Sequence, residues 1–154
     1  MKVCLMLTVV FFSLSLVAEE HKHEHKAPHN GTLIVLGDEF AHLELVLQKD
    51  GKLTGYVLGG EPDTSVRIKQ EEIQLKLSVP KEEGKSDVKE LKVTLKAVAN
   101  ILTGEKKGDS SQFETEVEGL KAIKIFEGVI VSITIKGKEF KDIKFKFPEG
   151  NESR

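Results

Sequence analysis

The stretch "AHLELVLQKDGKLTGYVL", residues 41–58, decides the fold class. Ala41, Leu43, Leu45 and Leu47 alternate with His42, Glu44 and Val46, the period of two that sends successive side chains to opposite faces of a strand. A turn at Asp50 and Gly51 follows, and then a second alternating run begins. A two-residue loop at Asp50-Gly51 would set Leu47 opposite Thr54 and mix apolar with polar residues on each face. A three-residue loop with Gly51 in the left-handed position of a bulge instead pairs Leu47 with Leu53, Leu45 with Gly55 and Leu43 with Val57. That register keeps one face apolar and pairs Glu44 with Tyr56 and His42 with Leu58 on the other.

The same alternation recurs outward along the chain. "IQLKLSV" sets Ile73, Leu75, Leu77 and Val79 against Gln74, Lys76 and Ser78, "LKVTLKAV" repeats it from Leu91, and "VIVSITIKGKEFKDIKFKF" carries it through two strands with a turn at Gly137. "LGGEPD", "PKEEGKSDVKE" and "TGEKKGDSSQ" read as loops, and "EGLKAI" as a short helical turn. Roughly eight or nine antiparallel strands at this spacing predict an all-β domain, a β-sandwich with immunoglobulin-like topology as first expectation and a small β-barrel as the alternative. Its expected core is Leu43, Leu45, Leu75, Leu77, Val93, Leu95, Val131, Ile133, Ile143 and Phe145.

Upstream, "MKVCLMLTVVFFSLSLVA" has one early lysine and an apolar run too short and poorly flanked for a spanning helix, so residues 1–18 read as a secretory signal cut after Ala18. Residues 19–31 then form a flexible His-rich tail, 32–148 one β domain, and 149–154 a C-terminal tail. The chain past the signal contains no Cys, Met or Trp. An exported domain without disulfides suits a bacterial periplasm. The net charge of −2 is spread along alternating strands, with no basic stripe carrying interleaved aromatics, which argues against a nucleic-acid partner.

All five histidines lie between His21 and His42. In "EEHKHEHKAPHN" the alternation of His21, His23 and His25 lets imidazoles from one segment reach a common ion, with Glu20 or Glu24 adding oxygen. A terminus at Glu19 would put His21 third, an order that wraps Cu(II) or Ni(II) in a plane of four nitrogens. On the folded side, His42 and Glu44 point the same way from one strand and His29 precedes the first strand. Together with Asp38 they form a candidate nitrogen and oxygen site. In the competing reading His42 merely covers Leu58 and Glu44 hydrogen-bonds Tyr56. The metal-ligand candidates are therefore His21, His23, His25, His29, His42 and Glu44. Without sulfur ligands, Cu(II), Ni(II) and Zn(II) are the ions to consider. "NGT" at Asn30 and "NES" at Asn151 match the glycosylation tripeptide, which carries no weight in a bacterial protein.

The segments "HNGTLIVLGDEFAHLEL", "DGKLTGYVLGG", "SSQF" and "ITIKGKEFKDI", covering most of residues 29–143, resemble an uncharacterised family of exported bacterial domains with a His-rich leader, a His-Gly-Gly turn and an "LGD" strand. Asn30 stands where that family has its first glycine. Similar segments occur beside, or fused to, periplasmic adaptors of heavy-metal efflux pumps. The resemblance thus implies a metal role for His29, His42 and Glu44 and an efflux adaptor as partner. No cysteine nucleophile, phosphate loop or nucleophile elbow is present, so the expectation is a non-catalytic, periplasmic metal-binding protein. The alternative is a structural or interaction module of the cell envelope, without a metal.

Overall fold

A computed structural model describes residues 25–81 and 87–152. The strands are β1 (Thr32–Leu36), β2 (Ala41–Leu47), β3 (Lys52–Leu58), β4 (Glu72–Pro80), β5 (Val88–Ala97), β6 (Gln112–Glu116), β7 (Phe126–Ile135) and β8 (Lys138–Phe147), with a 3-10 turn at Glu118–Leu120. All pair antiparallel in a single sheet ordered β1-β2-β3-β6-β5-β4-β7-β8. Strands β4 to β6 form a meander laid into the sheet in reverse, so β6 pairs with β3 and β4 with β7. The sheet is nearly closed into a barrel, the alternative named above in place of two stacked layers. Period-two patterning is identical in the two architectures, because either one buries a single face of each strand.

The β2–β3 hairpin has the register expected from its sequence: Leu47 opposite Leu53, Leu45 opposite Gly55, Glu44 opposite Tyr56 and His42 opposite Leu58. Gly51 has φ of 91°, and the loop is closed by the Gln48 N–H donating to the Lys52 carbonyl at 2.9 Å. Leucines and isoleucines of β2, β4, β5 and β7, with Phe113 and Phe126, fill the barrel.

The expected core differs at two places, both explained by one bend. The β4–β7 register slips by one residue, so that Leu75 faces Ile130 while Gln74 faces Ser132. Val131 is the extra residue of this bulge and is only half-buried, whereas Ile130 and Ile133 on either side are fully buried. Beside it in β8, Asp142 has φ of 52°, and the inward side chains change from Phe140 to Phe145, leaving Ile143 half-buried. A bulge of this kind turns a sheet sharply enough to curl it toward closure.

Closure between β1 and β8 uses a side chain. Beyond β8 the chain turns back, with Lys146 and Gly150 exchanging backbone hydrogen bonds of 2.8 and 2.7 Å. This places Asn151 beside β1, where its Oδ1 accepts from the Val35 N–H at 2.8 Å and its Nδ2 donates to the Val35 carbonyl at 2.9 Å. The amide thus completes the ladder as a one-residue strand would. The Thr32 hydroxyl adds a bond to the Pro148 carbonyl at 3.2 Å.

Candidate metal centre

The polar face of β2 is not open to water. Residues 25–31 lie across it, and both His42 and Glu44 are completely buried, although alternation alone places them on the solvent side. Within residues 25–31, His25, Ala27 and Gly31 are half-buried against the domain while Lys26, Pro28, His29 and Asn30 remain exposed.

Glu44 explains the docking. Its Oε1 accepts the N–H groups of His29 and Gly31, each at 2.8 Å, and its Oε2 accepts from His29 Nδ1 at 2.7 Å. A carboxylate receiving backbone N–H groups is a strong, charge-assisted anchor for an incoming chain. Gly31 is required there, since a Cβ would lie 2.6 Å from the Leu45 carbonyl oxygen and 2.9 Å from Glu44 Cγ. Asn30 takes φ of 56°, a left-handed conformation that asparagine tolerates better than most residues. The His29 ring stacks on Tyr56 with centroids 3.7 Å apart and planes at 10°. Burial, followed by the Glu44 and Glu114 carboxylates, pushes the Tyr56 phenol above its ordinary pKa. Tyr56 is accordingly a neutral platform, and no hydrogen bond joins it to Glu44 among the described residues.

The second imidazole pair is different. His42 Nδ1 lies 2.8 Å from the Gly59 carbonyl oxygen. A carbonyl only accepts, so Nδ1 carries the proton and Nε2 presents its lone pair. His25 reaches the same place from the tail. The two rings meet edge to face at 63° with centroids 5.1 Å apart. Both His25 Nε2 and His42 Nε2 are shielded from solvent and have no hydrogen-bond partner among the described residues. Buried polar atoms are nearly always paired, so two adjacent exceptions call for an explanation. A carbonyl holding Nδ1–H so that Nε2 is bare is the usual support of a metal-bound histidine.

Of the sequence candidates, the fold thus pairs His25 with His42, and His29 with Glu44. His21 and His23 lie outside the described residues, as do the signal segment and the terminal site built on Glu19. Asp38 is exposed on the β1–β2 turn, whereas its neighbour Glu39 approaches the pair, with Oε2 at 3.7 Å from His25 Nε2. Nothing in the sequence singled out Glu39, because an acidic residue in a polar turn is ordinary. Among the described residues, no three His, Cys, Asp or Glu side chains are already gathered around one point. A concavity of about 950 Å³ lies elsewhere, over β4, β7 and β8, lined by Lys76, Glu127, Lys144 and Lys146 among others and by no histidine.

The arrangement is a shielded two-nitrogen donor pair with a carboxylate at its edge, built where a tail, a turn and a strand meet. No family model, curated protein or solved structure matches the chain.

Proposed function

We propose that this protein is a non-catalytic transition-metal-binding domain of the periplasm that takes Zn(II), Cu(II) or Ni(II) through its N-terminal imidazoles, in association with metal efflux or homeostasis. The carrying observation is the pair of buried, unpartnered Nε2 atoms of His25 and His42. In this reading Glu44 is the anchor of the tail and not a ligand, since both its oxygens already accept hydrogen bonds. His21 and His23 supply further donors for collecting ions. Export and an efflux adaptor as partner rest on the apolar leader and on the resemblance of the sequence.

A zinc titration of the full chain, followed by thermal unfolding, tests this. A ligand that prefers the folded state raises Tm by mass action. The expected result is a zinc-dependent rise in Tm that is lost in the double variant His25→Ala, His42→Ala. No uptake of any of the three ions, or a rise unchanged in the variant, sinks the reading.

One observation favours an interaction role instead. Ile101 and Leu102 are 94% and 96% exposed at the tip of a turn whose Asn100 side chain accepts from the Leu102 N–H at 3.0 Å. Two apolar side chains held out on an ordered turn suit contact with a partner protein.

A further inference from the structure

We infer that Glu39 is the third donor of the His25–His42 site, which makes it a two-nitrogen, one-oxygen site for a single tetrahedral ion of the zinc class, with its fourth position left to water or to an exchanging donor. This rests on the metal-binding reading above and specifies its chemistry.

The first argument is metric. With Zn–N bonds of about 2.0–2.1 Å, an imidazole centroid lies about 3.1 Å from the ion. Two such rings at the tetrahedral angle have centroids about 5.1 Å apart, against about 4.4 Å at a right angle and about 6.2 Å when trans. The observed separation is 5.1 Å. That spacing admits a tetrahedral ion between the two rings, and it is also ordinary for rings that meet edge to face.

The second argument concerns the oxygen. Nitrogen and oxygen ligands on one tetrahedral ion lie about 3.3–3.4 Å apart at these bond lengths. Glu39 Oε2 is 3.7 Å from His25 Nε2, too long for a hydrogen bond and a few tenths of an ångström from a shared ion. The Glu39 side chain is 45% exposed and can close that gap, while the two imidazoles are nearly enclosed. A carboxylate still to move in is consistent with the lack of a ready-made group of three.

The third argument is the backbone. Glu39 has φ of 54°, a conformation disfavoured for a residue with a long side chain, and its carbonyl lies so close to Gly60 that a Cβ there would come within 2.7 Å. The strained residue of the turn is thus the one whose carboxylate faces the pair. Asn30, Ala122, Lys136 and Asp142 share this conformation, so the turn positions Glu39 without by itself marking a site.

Co(II) serves as the probe because a tetrahedral site gives it an intense visible band and an octahedral one does not. The titration uses the full chain carrying His21→Ala and His23→Ala, which silences tail donors and leaves the site intact. One equivalent of Co(II) should produce the tetrahedral band, and Zn(II) should displace it. Glu39→Gln should weaken binding at least about tenfold and diminish the band, and His42→Ala should abolish it. Glu39→Gly removes the carboxylate while relieving the backbone, so it should melt no lower than its parent and still bind poorly, which separates loss of a ligand from loss of fold. Parental affinity and band in both Glu39 variants, with binding lost in His42→Ala, would overturn the role of Glu39 and leave the two-histidine reading standing. A band that is octahedral in the parent overturns the tetrahedral assignment. Absence of Co(II) or Zn(II) binding in the parent removes both.

Discussion

Glu44 on β2 and Glu105 in the loop between β5 and β6 are both buried carboxylates, and each is held by donors from the loop it fastens. Glu105 accepts from the Ser111 hydroxyl at 2.6 Å, the Ser111 N–H at 2.9 Å and the Thr103 hydroxyl at 2.8 Å, with Arg67 Nε at 3.7 Å. Burial by itself would raise its pKa, but the Ser111 and Thr103 hydrogen bonds and the Arg67 charge outweigh burial and hold it below the ordinary value of 4.5. A carboxyl whose pKa is lower folded than unfolded contributes stability that is complete above its unfolded value and lost as pH falls through the folded one. Glu105→Gln should therefore cost about 1–3 kcal/mol at pH 7. Below about pH 4.5 the parent should lose stability relative to the variant and the gap should narrow. Urea midpoints of both proteins across that range check this, and a gap that stays constant with pH would mean that Glu105 acts through shape alone. The neighbouring Ser110 is wholly buried, its hydroxyl donating to the Val98 carbonyl at 2.6 Å. The paired serines of "SSQF" thus serve the loop as two different fasteners.

The tail and β2 form one structural unit, and the tail supplies His25 to it. An ion held by His25 and His42 would tie residues 25–31 to the strand more firmly than Glu44 does alone. Lys26, exposed between the two tail imidazoles, reports on this directly. Zinc should slow tryptic cleavage after Lys26 several-fold, about the factor by which it suppresses local opening. The slowing should vanish in His42→Ala, and equal protection in that variant would show that zinc acts elsewhere. The β2–β3 register was legible in advance because one apolar face and one turn glycine admit a single pairing. Partnership across the sheet was not. Glu44 to His29 is a contact between a strand and a segment with no periodicity, and the approach of Glu39 to His25 depends on a left-handed turn residue that composition does not mark. Likewise Val131 reads as inward by alternation, and only the pairing of β7 with β4 shows that a bulge interrupts the count there.

For the molecule as a whole, the choice between sandwich and barrel was decided by features that alternation cannot carry: the Val131 bulge, the kink at Asp142, and the turn that brings Asn151 to Val35. Asn151 is exposed, so replacing it with alanine should cost only about 1 kcal/mol, a fall in Tm of about 3–5 °C. A melting temperature within a degree of the parent would mean that Thr32 and Pro148 hold the seam unaided. The greater effect should be on association. With the amide gone, β1 exposes an N–H and a carbonyl that can pair with another chain's strand. Because the two margins of the seam belong to different strands, one molecule's β1 would meet the next molecule's β8, a head-to-tail joint that does not close on itself. Pro148 and Asn151 thus cover the seam, and a protein trimmed after Phe147 should associate through β1 more readily than its parent.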